Sequence, residues 1–288
     1  MDTTRFKVRP GRAVSLRRSD PADTGPYKSK QKAAKQLDAD IARLVALQEH
    51  LYAQDRWSVL LIFQAMDAAG KDSAIKHVMS GLNPQGTQVF AFKRPSDEEL
   101  DHDYLWRTTQ ALPERGRIGI FNRSYYEEVL VVRVHPEILA RQKLPASLVS
   151  RTLWTERFED INAFERYLSR NGTLIRKFFL YVSKDEQRRR FLERLDDPSK
   201  NWKFAVGDLD ERDRWDDYMK AYEEALSKTS TDESPWFIVP ADHKWFTRLV
   251  IARLVVEALE SLDLRFPKAS RAHLDTLAEA RKRLEGPA

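Results

Sequence analysis

Residues 59–63 constrain the fold more than any other stretch, because five consecutive apolar residues are bounded by polar ones. Such a run predicts a short strand buried on both faces, as in the interior of a parallel sheet. A turn of small residues follows, and apolar residues then recur at helical spacing. A strand, a Gly70-Lys71 turn and a helix form the layout of a phosphate-binding loop, in which backbone N–H groups and the helix N-terminus make an anion site.

This loop departs twice from the usual pattern G-x-x-x-x-G-K-[ST]. Ala65 occupies the first glycine position, and Asp72 replaces the hydroxyl residue that usually binds magnesium. Asp67 adds a carboxylate within the loop, which would repel phosphate unless a cation lay between them. We therefore predict that Asp67 holds magnesium and that Lys71 supplies a charge for a terminal phosphate. An ordinary strand-to-helix turn is the alternative explanation of the Gly-Lys pair.

Composition narrows the class of protein. A chain of 288 residues has room for one large or two small domains. It contains no cysteine, which excludes disulfides, thiolate zinc sites and cysteine nucleophiles. No apolar run long enough to span a membrane is present, nor is an apolar segment near the N-terminus. We therefore expect a cytoplasmic protein without membrane contact.

The net charge of +5 is concentrated in residues 1–30, which carry eight basic and three acidic residues. Residues 1–27 show no helical or strand period and predict an extended basic arm. Such an arm suits a polyanion. A solvated leader that keeps the protein in solution would explain the same charge.

Predicted strands and helices alternate along the rest of the chain, which indicates one α/β domain over residues 1–288 with a five-stranded parallel sheet flanked by helices. The strands after the first are expected at residues 87–92, 118–121, 174–182 and 236–239. Long helices are expected at residues 28–55, 97–112, 147–170, 209–227 and 244–262. A capping box at residues 183–186 follows the strand expected at residues 174–182.

Polar residues follow the predicted strands where ligands bind in open α/β sheets. Lys93 and Arg94 follow the second strand and are candidate phosphate ligands. Asn122 and Arg123 end the third strand, where a related enzyme would keep a metal-directing Asp. Asn122 can donate a hydrogen bond but adds no charge, Arg123 can clamp phosphate, and Glu127 could supply the missing carboxylate. Arg133, further on, is another candidate phosphate ligand.

Residues 184–206 form the most basic segment after the arm. Arg190 and Arg194 are four residues apart and share a helix face. A basic helix after a strand of such a sheet suggests a lid that closes over phosphates and excludes water. An exposed helix with surface ion pairs is the alternative.

Four motifs together resemble the polyphosphate kinase 2 family: DAAGKD at 67–72, FNRSYYE at 121–127, RFLERLDDP at 190–198 and PAD at 240–242. The similarity runs in order from about residue 28 to residue 267. It implies a thymidylate-kinase-like P-loop fold with a helical lid. It also implies that phosphate moves reversibly between inorganic polyphosphate and a nucleotide, with magnesium.

The resemblance also implies roles for individual residues. It assigns the transferred phosphates to Lys71 and to the backbone of Ala68, Ala69 and Gly70, with Asp72 beside them. It assigns magnesium to Asp67, a phosphate contact to Arg123, and places in the lid to Arg190 and Arg194. Most members have Asp where this chain has Asn122. The combination of Asn122 and Glu127 resembles the branch of the family that accepts both AMP and ADP. Because Asn122 replaces the usual Asp, the set of magnesium ligands stays open, and Glu127 is a second candidate beside Asp67.

The expected partners are polyphosphate, adenine nucleotides (with guanine nucleotides as the alternative) and further copies of the chain, whose number the sequence does not give. Two other functions compete with this one. A conventional ATP-dependent nucleotide kinase should carry GKS or GKT, which Asp72 contradicts. A non-catalytic polyanion-binding protein would use the basic arm, but no nucleic-acid-binding motif accompanies it.

Overall fold

Five parallel strands form the centre of the computed structural model, which describes residues 1–286: β1 (Ser58–Gln64), β2 (Thr87–Ala91), β3 (Ile118–Asn122), β4 (Thr173–Tyr181) and β5 (Trp236–Pro240). Their order across the sheet is β2-β3-β1-β4-β5. All four strand pairings are parallel, which confirms the predicted sheet. β1 lies in the middle and every one of its residues is buried, as its apolar run predicted.

Helices flank the sheet in two groups. α1 (Lys30–Gln54), α2 (Lys71–Val78) and α10 (Lys244–Glu260) pack together, and α10 also contacts β4 and β5. The second group contains α6 (Leu153–Arg170), α9 (Trp215–Thr229) and a π-helix over Glu128–Val132. The remaining helices are α3 (Asp97–Leu100), α4 (Trp106–Thr109), α5 (Pro136–Leu139), α7 (Lys184–Asp196), α8 (Gly207–Asp213) and α11 (Arg271–Glu285). Within residues 1–286, no helix is both long and apolar enough to cross a membrane.

Three predicted helices have different bounds in the structure. The helix expected over 97–112 begins with the predicted capping box at Ser96, but α3 ends at Leu100. The Asp103 carboxylate then accepts the backbone N–H of Leu105 at 2.9 Å, and this local bond competes with helix continuation. The helix expected over 209–227 is divided into α8 and α9, and the one expected over 147–170 begins only at Leu153.

The segment after β3 is anchored by a buried polar cluster. The hydroxyls of Tyr125 and Tyr126 both donate to Glu165 at 2.8 Å. Glu165 also pairs with Lys177 of β4, and both side chains are almost wholly buried. Burial raises the pKa of both tyrosines, so each keeps its proton. The cluster therefore fixes the backbone that carries Arg123 and Glu127.

Residues 7 and 8 of the N-terminal arm (residues 1–27) lie along the outer edge of β5. The N–H of Val8 donates to the carbonyl of Trp236 at 2.9 Å, and Lys7 forms an isolated antiparallel bridge with Phe237. Phe6, Val8 and Leu16 are buried in the main core. The arm contains two 3-10 helices, Thr4–Phe6 and Leu16–Arg18, and it is anchored by apolar residues whose burial the sequence analysis did not anticipate.

The start of α7 is joined to the end of β5. The Ser183 hydroxyl accepts the N–H of Glu186 at 3.1 Å, as the predicted capping box requires. The Ser183 N–H donates to Asp242 at 2.8 Å, however, and not to Glu186. The predicted reciprocal box is therefore wrong in its second half, because Asp242 competes for that donor and links the basic helix to the strand end.

Candidate active site

The loop between β1 and α2 makes a tight turn at the carboxyl end of the sheet. Ala68 and Gly70 have positive φ values of 60° and 103°. A glycine is suited to the second value, since side chains rarely adopt it. α2 begins at Lys71, so its unpaired first-turn N–H groups border the loop. This is the anion-binding arrangement that the sequence predicted.

Lys71 is held beneath the loop. Its Nζ donates to the carbonyl of Ala65 at 2.9 Å, and the residue is 9% exposed. The position of Lys71 directly after Gly70 predicts a side chain that faces solvent when no ligand is bound, and this prediction is wrong. Burial lowers the pKa of Lys71, and the nearby Arg123 acts in the same direction. The loop therefore positions the ammonium group in advance.

Arg190 fastens the outer side of the loop. Its Nη1 donates to the carbonyls of Ala68 and Ala69 at 3.0 and 2.8 Å. Its remaining donors reach Glu186 at 2.7 Å, Ala241 at 2.6 Å and Asp242 at 3.0 Å. The side chain is 3% exposed, and all five N–H groups are occupied. Arg190 borders the predicted phosphate site, but in this structure its donors serve the protein backbone and one carboxylate.

Arg123 lies between the two candidate metal ligands. Its Nη2 is 3.0 Å from Asp67 Oδ1, and its Nη1 is 3.6 Å from Glu127 Oε2. Gln64 donates to the other oxygen of Glu127 at 2.8 Å. Glu127 foremost, and Asp67 with it, raise the pKa of Arg123, against the effect of burial. The structure thus brings together three of the predicted site residues.

Asp72 and Asn122, which each depart from the residue usual in their motif, contact each other. The Asn122 amide donates to Asp72 Oδ1 at 2.6 Å. A carboxylate at position 122 would place two negative charges at this distance, which requires a cation or a proton between them. Asn122 instead donates a hydrogen bond to Asp72 and adds no second negative charge, so the contact needs no bridging ion.

A cavity of about 630 Å³ opens above the loop. Nine basic side chains line it, against three acidic ones. They come from the loop, from the residues after β2 and β3, from α7 and the segment that follows it, and from the start of α10: Lys71, Lys93, Arg94, Arg123, Arg190, Arg194, Lys200, Lys203 and Lys244. We call this space the phosphate cavity. Its charge suits a ligand with several negative groups.

Arg194 and Arg133 differ in their relation to this cavity. Arg194 lines it and donates to the Lys203 carbonyl at 3.2 Å. Arg133 lines neither this cavity nor the second cavity that adjoins it, described below. It pairs with Glu224 of α9 at 2.5 Å and lies over the ring of Trp154. The structure therefore places the side chain of Arg133, which follows the π-helix, toward α9 and away from the predicted phosphate site.

A second cavity of about 320 Å³ adjoins the first and shares Lys93, Arg94 and Arg123 with it. Apolar side chains form much of its wall: Leu100, Val131, Val132, Ile138 and Leu144. We call it the acceptor cavity. Sequence reasoning missed it because its wall comes from short helices and the π-helix. The apolar run at 129–134, which leads toward a helix predicted to begin at Pro136, was its only signal.

Polar groups lie in the wall of the acceptor cavity. Glu128 accepts from Arg157 at 3.1 Å and from Gln142 at 2.6 Å, and burial raises its pKa. The Tyr104 hydroxyl is buried and has no hydrogen-bond partner within residues 1–286. Apolar side chains thus share this wall with many charged and polar ones, which suits a small molecule that has both an apolar and a charged part.

Comparison with known proteins identifies the family of the chain. A sequence model described as Polyphosphate kinase 2 (PPK2) matches residues 27–267. The chain belongs to this family. It is 53% identical to an ADP-polyphosphate phosphotransferase of Rhodopseudomonas palustris, over 98% of each chain. It is 45% identical to an AMP/ADP-polyphosphate phosphotransferase of Meiothermus ruber, over 93% of this chain and 97% of that one.

Solved structures agree with this assignment. A crystal structure of polyphosphate kinase 2 from Arthrobacter aurescens superposes with a TM-score of 0.87 and 43% sequence identity. The alignment covers 97% of this chain and 95% of the other. The resemblance inferred from four motifs is therefore confirmed over nearly the whole chain.

Proposed function

We propose that the protein transfers phosphate reversibly between inorganic polyphosphate and AMP or ADP, with magnesium. The observation that supports this best is the pair of joined cavities. One is cationic and lies over the phosphate loop, and the other is largely apolar. Lys93, Arg94 and Arg123 border both, so a phosphate at the junction can be reached from either side.

The donor occupies the phosphate cavity. A polyphosphate chain carries charge along its whole length and has no apolar part, which matches nine basic side chains around an open space. The backbone N–H groups of the loop and Lys71 hold the phosphate being transferred. The names of the two relatives support polyphosphate as the donor.

The nucleotide occupies the acceptor cavity. Its phosphates face Arg123, Lys93 and Arg94, and its nucleoside lies against the apolar wall. Arg123 reaches both substrates at the junction, where charge on the transferred group is greatest. The residues that bind the acceptor thus differ from those that bind the donor, apart from the shared three.

Magnesium fits this site as a shared ligand of protein and phosphates. No cluster of three or more metal-ligating residues occurs within residues 1–286. Mg²⁺ is commonly bound by one or two carboxylates together with substrate phosphates, so such a cluster is not required. Asp67 and Glu127 would hold it, and both now pair with Arg123. When bound, the ion neutralises charge on the phosphates.

The chemistry requires no protein nucleophile. An ionised oxygen of the acceptor's terminal phosphate attacks the end phosphorus of polyphosphate in line, the anhydride bond to the next phosphate breaks, and the shortened polyphosphate leaves. The protein therefore has to position the reactants and balance their charge. Lys71 and Arg123 supply fixed positive charge. Arg190 acts indirectly. It holds the carbonyls of Ala68 and Ala69 and so orients the loop N–H groups that face the phosphate.

The acceptor range follows from Asn122. With a neutral group beside Asp72, the site does not need a bridging ion at this position. AMP and ADP should therefore both be accepted, and AMP should give ADP first and ATP after a lag. The Rhodopseudomonas relative is named for ADP and the Meiothermus relative for AMP and ADP.

The experiment combines purified protein, magnesium and long-chain polyphosphate with AMP, ADP, GMP or GDP, and products are separated by chromatography. Protein with Lys71→Ala serves as the control for contaminating adenylate kinase. We expect ADP and then ATP from AMP with wild-type protein only. Consumption of ADP with AMP untouched would contradict the acceptor range, and no turnover of any nucleotide would contradict the function.

A further inference from the structure

A third concave surface, of about 490 Å³, lies between the N-terminal arm and the edge of the sheet. Its wall includes Arg5, Lys7, Arg9, Arg12 and Arg18 from the arm, with Tyr181, Ile238 and Pro240 from β4 and β5. We call it the arm groove. Asp20 and Asp23 are the acidic residues in its wall, so basic side chains predominate.

The groove has a fixed shape. Phe6 and Val8 are buried while Lys7 and Arg9 are exposed, which is the alternation of an extended segment with one face packed. Further along the arm, the N–H groups of Val14 and Leu16 donate to Ser227 and Glu223 of α9 at 2.8 and 2.7 Å. The basic side chains are therefore presented by an ordered backbone before any ligand arrives.

Most of these cations lack a partner in the protein. Arg5 pairs with Asp23. Within residues 1–286, the side chains of Lys7, Arg9, Arg12 and Arg18 form neither an ion pair nor a hydrogen bond with protein groups. Four uncompensated charges around one concavity repel one another, and a polyanion would remove this repulsion.

The arm groove is close in the chain to the phosphate cavity. Pro240 lines the groove, and Lys244, four residues later, lines the cavity. Between them, Asp242 joins the two sites: its N–H donates to the carbonyl of Pro21 in the arm at 3.0 Å, and its carbonyl accepts from Arg190 at 3.0 Å. A single short segment thus separates the two cationic surfaces.

We propose that the arm groove binds a distal stretch of the same polyphosphate chain whose end occupies the phosphate cavity. This rests on the proposed function. Exposed aromatic rings, on which bases could stack, are not a feature of the groove, because Phe6 is buried and Tyr181 is half-buried. The surface therefore suits a polyanion without bases. It increases affinity for long donors and leaves the chemical step unchanged.

The test compares two variants with equal loss of charge. The arm variant combines Lys7→Gln, Arg9→Gln and Arg12→Gln. The control combines Lys268→Gln, Lys282→Gln and Arg283→Gln, all exposed residues in or near α11 that form no ion pair within residues 1–286. Steady-state rates are measured with ADP and either long-chain polyphosphate or a short oligophosphate, at several salt concentrations. Thermal unfolding of both variants verifies that they are folded.

We expect the arm variant to raise KM for long-chain polyphosphate about tenfold, with a weaker salt dependence, since fewer counterions are released. Its kcat and its KM for the short donor should match those of wild type and control. Equal kinetics of the two variants with the long donor would overturn the proposal. So would an equal rise in KM for both donor lengths, which would place these residues at the transfer site. Neither result affects the proposed function, which fails only if wild-type protein uses no polyphosphate.

Discussion

The three cations beside the phosphate loop and the cations of the arm groove are held in opposite ways. In the phosphate cavity, Lys71, Arg123 and Arg190 each have a protein partner at 3.0 Å or less. In the arm groove, four cations have none within residues 1–286. Fixed charges suit a transition state, whose charge develops at one place, and they avoid reorganisation during the reaction. Free charges suit a chain that can bind in many registers. The difference separates catalysis from retention of the substrate.

The two kinds of cation should differ in which kinetic constant changes when one is removed. Loss of a fixed cation should lower kcat, whereas loss of a free cation should raise KM for long donors. The fixed set can therefore be tested one residue at a time, starting with the largest expected effect.

Lys71→Ala should lower kcat by about three orders of magnitude, or about 4 kcal/mol in the barrier. The reason is that, in the proposed function, the transferred phosphate binds at this ammonium group, which the Ala65 carbonyl holds in place. Lys203→Ala, at an exposed position in the same cavity, is the matched control and should change kcat little. If Lys71→Ala retains more than about a tenth of the wild-type rate, the phosphate-loop assignment is wrong.

Asp67→Asn should lower activity about a hundredfold at low magnesium and recover part of it at high magnesium, since the carboxylate recruits the ion. A magnesium titration measures this directly. Asp208→Asn serves as the control because it changes another carboxyl group near Asp67. Burial, and after it the charge of Asp67, raise the pKa of Asp208. If the curve for Asp67→Asn has the wild-type midpoint, the carboxylate only structures the loop.

Arg190→Lys should lower kcat about tenfold with little change in KM, because an ammonium cannot hold four carbonyls and Glu186 at once. Arg189→Lys is the control, since that neighbour is exposed and pairs only with Glu186 and Glu193. A raised KM for polyphosphate with normal kcat would instead make Arg190 a direct phosphate ligand, as the sequence predicted.

Asn122→Asp should have the smallest effect, a roughly fivefold fall in kcat/KM for AMP relative to ADP, about 1 kcal/mol. A second carboxylate beside Asp72 would then need a bridging cation, which the longer acceptor brings more readily. Asn122→Ala removes the hydrogen bond without adding charge, and it should leave the ratio near that of wild type. A ratio that falls equally in both variants would show that the amide, and not the charge, sets acceptor choice.

The sequence predicted the sheet because strand patterns are local. The apolar run of β1 and the capping residue Ser96 act over a few neighbours, and both are confirmed. The predicted helix ends were less accurate. One helix ends early because the Asp103 carboxylate accepts the N–H of Leu105, and helix propensity does not reveal such a hydrogen bond. The family motifs also identified which strand ends carry Asp67, Asn122 and Arg123.

Contacts between distant segments could not be predicted in this way. Arg190 looked like a lid residue, but its partners are carbonyls of two loops that are adjacent only in the folded chain. Arg133 had the right charge, and the π-helix directs it to Glu224. Burial of Lys71 likewise depends on the closing of the loop around it. Each case concerns where a side chain points, which a linear pattern does not specify.

The hydrogen bond from Val8 to Trp236 has a consequence for how the protein stays dispersed. β5 is the last strand of the sheet, and an uncovered edge strand offers unpaired N–H and C=O groups to another chain. The arm occupies part of that edge and turns Lys7 and Arg9 outward. Charged side chains along a strand edge discourage a second strand from adding there. The segment that carries the unpaired cations thus also protects the sheet from strand-by-strand aggregation.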